Sequence, residues 1–209
     1  MDDNKTILNE YLDKYVKGYL IGDLERMMDL EYHSAAVGTN GELGYACLLV
    51  ISVGMELLGS LLSGKRGKSA LDSFWTVFQG QVSDKYTDSI RDMFWVAIRC
   101  KLAHMYILTN QIRTERKGLS SKHLQQINGQ TYIDGETLFK DFCNVYEIIK
   151  AKLLNDSSNL EARVKSIRFE VNQRSEIVTS ALVNSIVGAH EIDPNMIGAS
   201  GIKGTFSTR

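Results

Sequence analysis

Met93-Phe94-Trp95-Val96-Ala97-Ile98-Arg99-Cys100-Lys101-Leu102-Ala103-His104-Met105-Tyr106-Ile107-Leu108 is an apolar run with one arginine and one histidine set into its interior. Its apolar residues recur at helical spacing, which predicts a core helix. Tyr86 or Thr87 opens that helix, and it runs to about Asn110. Asp88 and Asp92 lie near its start, where negative charge suits the helix dipole.

Working outward, the segments on both sides also read as helices. Tyr45 to Leu62 is the most apolar run in the chain and stops at Gly64-Lys65-Arg66-Gly67. It is short for a membrane span and carries Ser52, Gly54 and Glu56 near its middle, so it predicts a central core helix. Ser69 to Gln81 places Leu71, Phe74, Trp75 and Phe78 on one face. Thr6 to about Leu30 sets Ile7, Leu8, Tyr11, Leu12, Tyr15, Tyr19 and Leu20 at three-to-four spacing, loosened by Gly18 and Gly22, and Asp23 is placed to cap a continuation. Glu31 to Gly44 reads as a loop around Gly38 and Gly41.

Beyond the opening helix the pattern changes. Gln111 to Lys122 is polar and basic. Leu124 to Ile133 alternates around Asn128-Gly129, a strong hairpin signal. Glu136 to Leu154 is helical again, with Leu138, Phe139, Phe142, Val145, Tyr146, Ile149 and Leu153 on one face. Asn155 to Asn159 is a linker-like break. Leu160, Val164, Ile167, Val171, Val178 and Leu182 then follow at near-heptad spacing, interrupted by Arg174, and the tail after Gly188 reads as irregular.

These segments predict a mainly α protein: a helical bundle over 1–155 with a hairpin insertion at about 124–133, then an amphipathic helix and irregular tail over 156–209. The 209 residues hold one proline, Pro194, so nothing breaks the helices before it. A net charge of -1 argues against a general nucleic-acid coat or a membrane-surface protein. Cys47, Cys100 and Cys143 are odd in number, without a zinc spacing, and read as reduced thiols of a cytoplasmic protein. The polar start Met1-Asp2-Asp3-Asn4-Lys5 carries no secretory signal.

On a regular α-helix Arg99 and His104 stand about 140° apart round the axis and roughly 7.5 Å apart along it. They converge on one phosphate only if the helix is distorted or a second protomer completes the cleft. Given that, arginine supplies a charged fork for phosphate oxygens, and histidine moves a proton near neutral pH. Paired with backbone carbonyls and Glu56, the same two residues would be purely structural.

The order Phe94-Trp95-Val96-Ala97-Ile98-Arg99-Cys100-Lys101-Leu102-Ala103-His104 resembles the Arg-x4–6-His motif of the HEPN superfamily of helical-bundle domains. The preceding apolar helix with Met55-Glu56-Leu57-Leu58-Gly59-Ser60-Leu61, then Phe74, Phe78 and Tyr86, fits the same order, and the likeness covers roughly residues 45–154. The resemblance implies a HEPN-like bundle and a metal-independent endoribonuclease of a toxin–antitoxin or defence type. It also implies a homodimer whose motifs face each other, with RNA and a cognate antitoxin or partner protein as partners. It assigns Arg99 and His104 the motif positions. Where the family usually has Asn, Asp or His after the arginine, this chain has Cys100, which cannot orient a phosphate as an amide or imidazole does. The alternative is a non-catalytic helical module for dimerisation or for RNA or partner binding.

Supporting positions follow from the residues themselves. Glu56, alone in the most apolar helix, needs a partner, and Arg99 or His104 is the expected one. Cys100 and Lys101 adjoin the motif arginine. Arg113, Arg116, Lys117 and Lys122, opposed by Glu115 alone, would form an RNA funnel. Lys65, Arg66 and Lys68 make a second basic cluster that lacks phosphate-loop spacing and follows a helix instead of a strand. No cofactor or metal set is indicated. His33, His123 and His190 stand singly and read as surface or loop residues, and Trp75 and Trp95 read as core.

Overall fold

The computed structural model describes residues 2–29, 44–105, 110–115, 118–156 and 159–167. The expected loop at 31–43, the end of the motif helix, and the helix and tail beyond Ile167 therefore lie outside the described residues, as do His33 and His190. Contacts divide the chain into two compact units, Met1–Val164 and Lys165–Arg209.

The first unit is mainly helical, with a small three-stranded sheet. Its hub is α3 (Gly44–Ser63), among the described residues the one helix long and apolar enough to cross a membrane. Here it is a core helix, packed on α4 (Lys68–Gln81), α7 (Gly135–Asn155) and the motif segment. Two glycines permit that closeness. A Cβ on Gly59 would stand 1.9 Å from the Ala70 carbonyl oxygen, and one on Gly54 would stand 2.7 Å from the Phe142 ring. Around α3, the rings of Phe74, Trp75, Phe78, Tyr86, Phe94 and Phe142 are buried, and Trp75 Nε1 donates to the Tyr86 carbonyl at 3.0 Å. Each fully buried ring of this kind contributes about 2–3 kcal/mol of apolar burial.

The N-terminal helix runs without interruption through α1 (Asp2–Tyr11), a π-helical segment (Leu12–Ile21) and α2 (Gly22–Asp29). Gly22 is in ordinary helical conformation, and Asp23 pairs with Arg26 instead of capping a second helix. The buried residues are Leu8, Leu12, Val16, Ile21, Leu24 and Met28, while Tyr15 and Tyr19, expected on the core face, are 44% and 55% exposed. Apolar residues at 8, 12, 16 and 21 recur more slowly than the 3.6 residues of an α-turn. A wider i→i+5 turn keeps them on one side.

The motif helix repeats this device. Thr87 caps α5 (Asp88–Met93) by accepting from the Ile90 amide, and the helix continues as a π segment (Phe94–Leu102) and α6 (Ala103–Met105). Phe94, Ile98 and Leu102, four apart, are all buried, and Lys101 is exposed.

The sheet has the order β1-β3-β2, from β1 (Ile112–Glu115), β2 (Gln126–Ile127) and β3 (Gln130–Asp134). β2 and β3 are the expected hairpin, turning through Asn128 and Gly129 at φ 51° and 76°. β1 pairs with β3 in parallel, where the sequence had suggested only a polar basic stretch. β3 runs straight into α7, whose N-cap is Asp134: its carboxylate accepts from the Thr137 amide at 2.8 Å and hydroxyl at 2.7 Å. Leu160 and Val164 are buried within the first unit, on a helix of residues 160–167. Arg163 there donates to the Leu61 carbonyl at 3.0 Å and to the Asp156 carboxylate at 2.7 Å. That unit therefore extends past the linker-like break to Val164.

Candidate functional site

Glu56 on α3 and Arg99 on the motif segment meet. Arg99 Nε donates to Glu56 Oε2 at 2.7 Å, and the other carboxylate oxygen accepts from the Gly67 amide at 3.2 Å. Both side chains remain partly open, 31% exposed for Arg99 and 22% for Glu56. Pairing through Nε fixes the plane of the guanidinium. Trp95, half-buried, borders the pair on the Gly67 side: a Cβ on Gly67 would lie 3.6 Å from its ring. The basic loop Gly64–Gly67 thus adjoins the motif arginine through Glu56, with Lys65 and Arg66 exposed.

His104 is exposed on α6, just past the π segment, and Arg99 lies within that segment. Widened turns bring residues five apart much closer to one ridge than the α-helical 140°. The widened segment contains Arg99 and ends at Leu102, two residues before His104. Cys100 is half-buried and Lys101 exposed.

Of the expected basic funnel, Arg113 and Lys122 are exposed, while Arg116 and Lys117 lie outside the described residues. Arg113 and Lys122 do not join the Arg99 pair. They flank Tyr132, the Arg113 guanidinium carbon 5.9 Å and Lys122 Nζ 5.7 Å from its ring centre. Tyr132 escaped the sequence reading. The signal was present, since the hairpin alternation puts it on the face opposite Thr131 and Ile133. Its partner Arg113 could be found only through the parallel pairing of β1.

His123 is the clear correction. It is buried, not a surface or loop residue. Its Nδ1 accepts from the Asp134 amide at 3.1 Å, so the ring proton sits on Nε2 and is shared with the Tyr86 hydroxyl at 3.1 Å. Tyr86 in turn donates to Asp141 Oδ2 at 2.7 Å. Burial holds the His123 pKa down at about 4 and raises those of Tyr86 and Asp141. This chain of bonds fastens the sheet to the motif helix and α7. Its histidine and tyrosine are buried, and Asp141 at its end is half-buried.

Trp75 is core, as expected. Cys47 is buried and Cys100 and Cys143 are half-buried, all with free thiols. Among the described residues no three His, Cys, Asp or Glu side chains gather in a set that could hold a metal ion. No protein-family model, curated protein or solved structure matches the chain.

Proposed function

We propose that the chain is a HEPN-like bundle that cleaves RNA through its 2′-hydroxyl, acting as a homodimer in a toxin or defence-type role. The observation that carries this reading is the Glu56–Arg99 pair: a partly open guanidinium held to a carboxylate through Nε, on the same helix as an exposed histidine five residues on. Arg99 binds the scissile phosphate and offsets charge on its oxygens, and His104 takes the 2′-hydroxyl proton. The 2′-oxygen bonds to phosphorus, the bond to the 5′-oxygen breaks, and that oxygen takes a proton from water or from the imidazolium of a second copy. The products are a 2′,3′-cyclic phosphate and a 5′-hydroxyl.

A second reading draws on the same pair. Glu56 neutralises much of the charge of Arg99, and Cys100 supplies no polar group to orient a phosphate. Both features suit a non-catalytic module for dimerisation or partner binding.

Incubation of the purified protein with single-stranded and structured RNA in EDTA separates the two. The nuclease reading expects cyclic-phosphate ends, lost by about 10²-fold or more in Arg99→Ala and His104→Ala, with a smaller loss in Glu56→Gln. Absence of cleavage by a folded, dimeric wild type establishes the module.

A further inference from the structure

We infer that the outer face of the three-stranded sheet is a stacking platform for single-stranded RNA, with Tyr132 receiving a base and Arg113 and Lys122 receiving the phosphates beside it. This rests on the RNA reading above but uses residues outside the Arg-His motif.

The platform follows from register. Along β3, Thr131 and Ile133 face inward, which leaves Tyr132 half-buried on the other face. Arg113 of β1 is the direct partner of Tyr132. On the other side of β3, the Leu124 amide donates to the Tyr132 carbonyl at 2.8 Å and the Tyr132 amide to the Gln125 carbonyl at 3.0 Å. Two residues thus oppose one, which makes a bulge, and Lys122 lies just before it. The result is a row across the sheet: cation, aromatic ring, cation.

The backbone is strained at this place. Leu124 has φ 61°, a left-handed conformation that a bulky side chain rarely adopts. Its buried side chain and its bond to Tyr132 hold it there. Bulges of this kind re-aim side chains beside binding sites.

The chemistry selects the ligand. A planar ring accepts any base by stacking, and cations on both sides of it suit a polyanion threaded across the strands. Lys122 lies near the outer limit of cation–π contact, about 6 Å, so its hold on the ring is weak and it can exchange the ring for phosphate.

The test uses the full chain carrying His104→Ala, so that the RNA stays intact, and a fluorescein-labelled ten-nucleotide oligouridylate with one central 2-aminopurine. Binding is followed by anisotropy against salt, and stacking by quenching of the 2-aminopurine. Tyr132→Leu is expected to weaken binding about tenfold and relieve the quenching, with Tyr132→Phe close to the parent. Arg113→Gln and Lys122→Gln, at exposed positions that fold safely, each lower the slope of log K against log salt by about 0.7. Binding indifferent to Tyr132 and to both cations overturns the platform, as does absence of binding. Equal displacement by a polyglutamate peptide, insensitive to Tyr132, also overturns it in favour of an acidic protein partner. Loss of cleavage by wild type with this binding pattern intact sinks the nuclease reading alone.

Discussion

His123 shows how far a single residue's neighbourhood outweighs its letter. The unfolded chain takes up a proton at this histidine near pH 6.5, whereas the folded chain keeps it neutral down to about 4. A histidine depressed in this way costs nothing above 6.5 and subtracts stability as pH falls from 6.5 towards 4. The loss is on the order of 3 kcal/mol across that window. Asp141 works in the opposite sense and lower down: burial raises it above 3.8, so its contribution is complete only below that value and is lost as pH rises. It softens the acid end of the His123 slope without cancelling it. Urea denaturation between pH 7.5 and 5 is expected to show falling stability in wild type. His123→Asn, which keeps an acceptor for the Asp134 amide, should be less stable at pH 7.5 but nearly flat. A wild type flat over the same range would refute the assignment.

At the scale of elements, the glycines of α3 set how closely its neighbours approach. Against Gly59 lies a backbone carbonyl that cannot rotate away, and against Gly54 the edge of a ring. Gly59→Ala is therefore expected to cost about 3 kcal/mol and Gly54→Ala less. Gly80, exposed in α4 with nothing within 4 Å of an added Cβ, gives the opposite sign. Gly80→Ala should stabilise by about 0.5–1 kcal/mol through helix propensity. Thermal melts of the three variants check the order. The two π segments belong to the same scale. In the first, the buried residues Leu12, Val16 and Ile21 recur every four or five positions, and the wider turn follows that spacing. The second contains Arg99, so a wide turn shapes the candidate site.

At the scale of the molecule, distant parts of the first unit close on one another through a few polar clasps. Tyr146 donates to the Leu12 carbonyl at 3.1 Å, across the N-terminal helix and α7. Arg163, its side chain only 9% exposed, reaches from the last described helix to the end of α3. Arg163→Ala removes a donor from the Leu61 carbonyl and leaves Asp156 without its guanidinium. A loss of about 2–3 kcal/mol in urea denaturation is expected. A change under 0.5 kcal/mol would show that Leu160 and Val164 hold this helix without the clasp.

By itself the sequence determined the helices, the hairpin and the candidate pair at Arg99 and His104, because these depend on local periodicity, turn chemistry and residue type. Phe74, Trp75 and Phe78 announced a buried face, Asn128-Gly129 a turn, and Glu56 a charge in need of a partner. Tertiary structure alone decided that the partner is Arg99 through Nε, since that needs two helices at a given distance. It also decided that β1 pairs in parallel with β3, that Tyr132 stands between two cations, and that His123 is buried. Each of these joins residues far apart in the chain or depends on which face a neighbour covers. The opening run shows both sides: its apolar spacing announced a helix, but the wide turn around its arginine is a feature of the folded chain alone.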